Sequence, residues 1–152
     1  MKANDQQLTF FGKSWFWMFL IISGVAVVIS LYHDFIPLWD GAEQADKLIH
    51  ATISDFNLFN FTLHGHPTII YCFFLSLLLR LSPFNYELIL MGNFLLFSAA
   101  ILVFYIIAKR MSSAKEREIL LLSAIFAFAP VHLAQLINVN ADFGVMCFLM
   151  LY

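Results

Sequence analysis

From Leu88 to Ala108 the chain runs 21 residues without a charged side chain. At ~1.5 Å of rise per residue, a helix of that length matches a bilayer core about 30 Å thick. No other feature restricts the fold as strongly. Backbone N–H and C=O groups in hydrocarbon must find partners within the protein, and a single segment does that as a helix. Trp15 to Leu31 and Ile119 to Ile137 repeat the pattern over 17 and 19 residues, and Phe143 to Tyr152 adds an apolar run of ten. Across the 152 residues, 62% are hydrophobic, 17% aromatic and 12% charged, which excludes a soluble globular domain and a disordered tail. The expected fold class is all-α: a polytopic transmembrane helical bundle.

Charge placement orients the spans. Lys109, Arg110, Lys115 and Arg117 cluster between two apolar runs, with Glu116 and Glu118 among them. That context marks a short cytoplasmic loop rather than a nucleic-acid surface. Lys2 and Lys13 precede the first span, so its start also faces the cytoplasm. A cleaved signal peptide is the competing reading of that run, but Trp15, Phe16 and Trp17 are bulky and no small-x-small cleavage site follows. Cys72 and Cys147 sit inside apolar runs, where a thiol acts as a small hydrophobe and implies no disulfide.

Thr68 to Leu81 is apolar for only 14 residues, a length typical of interfacial or re-entrant segments. If it crossed, the basic cluster would face outward, against the charge bias. If it lies on the outer interface, the cluster is cytoplasmic and Asp142 emerges on the side of Asp40. The second arrangement satisfies both length and charge. It gives spans at about 15–31, 88–108 and 119–137, the start of another at 143, and an outer loop over 32–85 with surface helices at about 43–57 and 67–81. Ala45, Leu48, Ile49, Thr52, Ile53 and Phe56 form the apolar stripe of the first surface helix, with Glu43, Asp46, Lys47 and His50 elsewhere. Pro67 opens the second. The last apolar run stops without a charge or cap, so the chain is expected to be the amino-terminal part of one transmembrane domain, cut short after Tyr152.

Several polar residues are candidates for chemistry. Asp40 directly precedes the amphipathic helix and has two readings: a general base, or an N-cap with Glu43 completing a capping box, which local spacing favours. His64 and His66 flank Gly65 where the loop meets the second surface helix, and could face an anionic ligand such as a phosphate. Two histidines without further ligands do not make a metal site. His132, Gln135, Asn138 and Asp142 would share about a third of the circumference of a continuing helix. Such a stripe faces a bundle interior or a water-filled cavity, through helix-to-helix hydrogen bonds or as a functional lining. Pro130 should kink that helix. P-loop, Gly-x-Gly-x-x-Gly and Gly-x-Ser-x-Gly motifs are missing from the sequence, so nucleotide hydrolysis and serine-hydrolase chemistry have no support.

The order of Trp39-Asp40 after the first span, His66-Pro67, Lys109-Arg110 closing a span, and Ala129-Pro130 followed by Asn140-Ala141-Asp142 resembles the amino-terminal part of the GT-C membrane glycosyltransferases. The likeness is to the protein O-mannosyltransferase and aminoarabinose transferase branch. The chain departs from that pattern at Asp40-Gly41 and at His66-Pro67-Thr68. The resemblance implies transfer of a sugar from a polyprenyl-phosphate donor to an acceptor lipid, glycan or protein. Asp40 and, less directly, Asp142 take the catalytic roles. Glu43, His64, His66, His132 and Gln135 are the expected substrate-binding residues. The lipid-linked sugar is a substrate, and no cofactor or metal is assigned. The implied location is a bacterial inner membrane, with the site facing the periplasm or exterior. The alternative is a non-enzymatic membrane module, a transporter half or an assembly subunit, in which Asp40 caps a helix and Asp142 joins a polar helix interface.

Overall fold

The computed structural model describes residues 2–31, 40–54, 62–63, 66–67, 69–82, 85–137, 139 and 141–152. Their elements run α1 (Lys2–Ser30), α2 (Asp40–Ser54), β1 (Thr62–Leu63), β2 (His66–Pro67), α3 (Ile69–Leu79), α4 (Tyr86–Met111), α5 (Glu116–Ala127), α6 (Pro130–Leu136) and α7 (Ala141–Leu151). The fold is all-α apart from one antiparallel pair, in which Thr62 faces Pro67 and Leu63 faces His66.

The 21-residue apolar run becomes the centre of α4, the helix on which α1, α3, α5, α6 and α7 pack. Its 26 residues are long and apolar enough to cross a membrane. Both ends are chemically closed. Asn85 caps the start, its side-chain oxygen accepting the Glu87 N–H at 3.0 Å, and the Ser112 N–H returns to the Ala108 carbonyl at 3.0 Å. Lys109 and Arg110 occupy the last turn, where cations offset the helix dipole.

α1 lies antiparallel to α4. Ser14 hydrogen-bonds with Tyr105 and Glu116 near the far end of α4, while Ala26, Ile29 and Ser30 border a recess with Glu87, Leu90 and Phe94 near its start. The chain therefore leaves α1 and enters α4 at the same end of the bundle. α3 does not alter that: its eleven residues rise only about 16 Å, roughly half a bilayer core.

α3 seats against α4 over Gly92, where a Cβ would come within 2.6 Å of Leu75 Cδ2 and 2.8 Å of Leu78 Cδ1. A second close approach is at Gly144 of α7, where a Cβ would lie 2.5 Å from Tyr71 Cγ. These glycines let α3 contact both neighbours closely and bury Tyr71, Cys72, Leu75 and Leu79. α2 packs on α3 through the expected stripe, with Ala45 and Leu48 in the core and Glu43, Asp46, Lys47 and His50 exposed. Ile53 and Phe56 of that stripe lie outside the residues whose side chains are described.

The apolar part of α1, Ser14–Ser30, matches the expected span, and the helix extends upstream of it to Lys2. Other boundaries differ from the sequence expectation: α2 spans Asp40–Ser54 rather than about 43–57. The second loop helix is Ile69–Leu79, and Pro67, expected in its first turn, instead ends the β pair. The run 119–137 is two helices bent by 50° at a break, so the expected kink at Pro130 is present. Its cause is visible. Phe126 is four residues before Pro130, so its carbonyl would accept the N–H that proline lacks. The His132 ring supplies a substitute, Nδ1 donating to Phe126 O at 2.7 Å. Pro130 then opens α6 at its first position, where no N–H is needed.

Candidate functional site

The expected polar stripe is interrupted. α6 ends at Leu136 and α7 starts at Ala141, so His132 and Gln135 are not on one helix with Asp142. Leu136 is buried and the Ile137 backbone sits against the bundle, which leaves the last carbonyls of α6 without helical donors in an apolar setting. Side chains from α4 supply them. Asn93 Nδ2 donates to Leu136 O at 2.9 Å, and the Tyr86 hydroxyl donates to Ile137 O at 2.7 Å. Asn93 in turn accepts from the Tyr71 hydroxyl at 2.8 Å, so α3, α4 and α6 meet at one amide. Asn93 is fully buried.

α7 starts beside this junction. The Phe143 ring packs 5.9 Å from Phe97, and Gly144 abuts Tyr71. The first turn of α7 is thus level with residues 93–97 of α4, about 10–16 Å along from Tyr86. Asp142 is exposed in that turn, where a carboxylate is favoured by the helix dipole.

The other expected residues are distributed as follows. Asp40 is the first residue of α2 rather than the cap preceding it, and its carboxylate lies outside the described side chains. Glu43 is exposed and paired with Lys47 at 2.5 Å, the i,i+4 arrangement of a solvated helix face. His66 is in β2 opposite Leu63, with its ring outside the described side chains, and His64 and Asn138 lie outside the described residues altogether. His132 is used structurally on the kink, between the rings of Phe97 and Phe126, and Gln135 is half-buried on α6. No group of three His, Cys, Asp or Glu side chains suited to a metal occurs among the described residues. What links the two candidate carboxylates is α3: α2, opened by Asp40, and α7, carrying Asp142, both pack on it.

Asn93, Tyr71 and Tyr86 were not candidates from sequence. Asn93 carried a signal, since an amide inside an uncharged 21-residue run must find partners within the protein. The tyrosines carried none, because their hydroxyls reach carbonyls 51 residues away or an amide 22 away.

At the opposite end of α4, Lys109 bridges to Glu116 of α5 at 2.9 Å, and the Tyr105 hydroxyl donates to the same carboxylate. Lys109 also donates to the Tyr105 oxygen at 3.3 Å. This cluster ties together the ends of the hairpin formed by α4 and α5.

No family model matches the chain, nor does any curated protein or solved structure. What is defined at this level is a class: among the described residues, a largely helical chain with one helix long and apolar enough to span a membrane and a bent pair, α5 with α6, that passes the same test taken together.

Proposed function

We propose that the chain is the amino-terminal part of a polytopic membrane glycosyltransferase that uses a polyprenyl-phosphate sugar. In this reading α1, α4 and the bent α5–α6 pair cross the bilayer, with the basic segment Lys109–Arg117 on the cytoplasmic side. The helices bearing Asp40 and Asp142 belong to the extracytoplasmic half. The observation that carries the reading is their common packing on α3, a short helix beginning next to the junction at Asn93. It gives one floor to the two helices whose aspartates the order of residues also pairs. Asp40 orients or deprotonates the acceptor, and Asp142 supports it at the N-terminus of α7. Cations that offset charge on the departing lipid phosphate are scarce here, since Lys47 and Arg80 alone lie between the first span and α4.

The test uses membranes carrying the product of the whole reading frame. Asp40→Asn should abolish sugar transfer from a labelled polyprenyl-phosphate donor while the protein remains folded. Retained transfer removes Asp40 from the catalytic role.

One observation favours the second reading, a non-enzymatic membrane module. The break between α6 and α7 is closed by Asn93 and Tyr86, and interrupted helices buried within a bundle also occur in transporters. That reading expects Asp40→Asn to cost no more than the stability of a helix start, about 0.5–2 kcal/mol.

A further inference from the structure

A groove of about 680 Å³ runs between α1 and α5 and shares no lining residue with the polar junction. Trp17, Leu20 and Ile21 form one wall and Leu120, Leu121 and Ala124 the other. Its two ends differ chemically. At the rim are Ser14, Glu116 and Arg117; Lys109 and Tyr105 already engage the Glu116 carboxylate, whereas Arg117 is exposed. Arg110 and Lys115 are exposed but are not among the groove's lining residues, which leaves Arg117 as the cation at its rim. The rim is therefore cationic. At the bottom is Phe128, whose ring meets α1 at Gly24; a Cβ there would lie 2.8 Å from Phe128 Cζ. The ring and the missing side chain together close the groove.

Its length is informative. Arg117 and Phe128 are eleven residues apart on and just beyond α5, about 16 Å at ~1.5 Å per residue. Half of a ~30 Å hydrocarbon core is about 15 Å. The groove thus has a charged rim at one membrane surface and a floor near the midplane, the depth of a single leaflet, and its volume is in the range of well-formed ligand sites.

We infer that the α1–α5 groove binds an anionic glycerophospholipid of the leaflet at the Lys109–Arg117 end, with an acyl chain between Trp17 and Leu121 and its phosphate on Arg117. This rests on the membrane placement proposed above, but not on the sugar-transfer chemistry. Charge selects the headgroup, because a basic residue at the surface favours an anionic lipid. The Phe128–Gly24 contact limits the site to one chain length.

Trp17 is 54% exposed and lines the groove, so it reports occupancy. The chain carrying Trp15→Phe and Trp39→Phe is reconstituted into vesicles containing phosphatidylglycerol or phosphatidylcholine with acyl chains brominated near the headgroup. Quenching of Trp17 should show about fivefold preference for phosphatidylglycerol. The preference should fall to about one in Arg117→Gln and in Ala124→Phe, which fills the groove, and should persist in Arg110→Gln, which lies outside it. Equal quenching by the two lipids, or a preference that survives Arg117→Gln, overturns the inference. So does an unquenched Trp17 in vesicles where Trp15, read in a Trp17→Phe chain, is quenched, because protein rather than lipid then covers the groove. If neither tryptophan is quenched, the membrane placement itself fails and the lipid site with it.

Discussion

Replacing Asn93 with leucine removes the one amide that joins α3, α4 and the end of α6. Leucine fills a similar volume, so the main loss is polar. Two groups lose this partner: the Tyr71 hydroxyl, which donated at 2.8 Å, and the Leu136 carbonyl, which accepted at 2.9 Å. An orphaned buried group costs about 1–3 kcal/mol, giving about 2–6 kcal/mol for the pair. Hydrogen bonds between membrane helices average about 0.6 kcal/mol, because the freed groups find other partners, so the lower part of that range applies. The expected cost is about 2–4 kcal/mol. Tyr71→Phe alone removes one donor from the Asn93 oxygen and should cost about 1–2 kcal/mol. The double variant has a distinctive signature. With Tyr71→Phe also present there is no Tyr71 hydroxyl for Asn93→Leu to strand, so the double variant should cost no more than Asn93→Leu alone, with a coupling of about 1 kcal/mol or more. Reversible unfolding in mixed micelles, followed by helical circular dichroism, measures all three. An Asn93→Leu cost below about 0.5 kcal/mol, or strictly additive costs, refutes the junction as described.

Three further outcomes are expected. Gly144→Ala should destabilise by about 1–3 kcal/mol in the same assay despite alanine's better helix propensity, because the new methyl meets Tyr71 at 2.5 Å; a stabilised protein contradicts the close approach of α3 and α7. Glu116→Gln should cost about 1.5–3 kcal/mol by weakening the bonds to Lys109 and Tyr105, and a double cycle with Lys109→Met should recover most of that as coupling. His132→Phe should loosen the kink at Pro130 by about 0.5–1 kcal/mol, since the Phe126 carbonyl loses its ring donor and keeps the longer Ala129 N–H at 3.4 Å; an unchanged stability shows that the ring does not support the kink.

Periodicity and length made the helices readable, and the amphipathic stripe of α2 is the clearest case. Ala45 and Leu48 are buried and Glu43 to His50 present their charges outward as the 3.6-residue period requires. Pro130 was legible for the same local reason. The break after Leu136 was not. Nothing in Leu136-Ile137 forbids a helix, and the interruption is tolerated because Asn93 and Tyr86, far away in sequence, satisfy the carbonyls it exposes. The candidate site divides along the same line. Asp142 and the kink histidine could be named from spacing, but their separation onto different helices depends on tertiary contacts. The His66-Pro67 step was read as a helix start because proline suits one, yet the same fixed backbone angle also suits a short extended pair.

In the proposed placement the chain leaves α1 and enters α4 at one face of a membrane, while the start of α1 and the Lys109–Arg117 segment share the other. It is tested most directly by single cysteines at Ser112 and at Glu43, both exposed, in a background with Cys72→Ala and Cys147→Ala. Sealed vesicles are treated with a membrane-impermeant maleimide before and after permeabilisation. The expected result is that one site labels in intact vesicles and the other only after permeabilisation. Labelling of both from the same side would contradict the account.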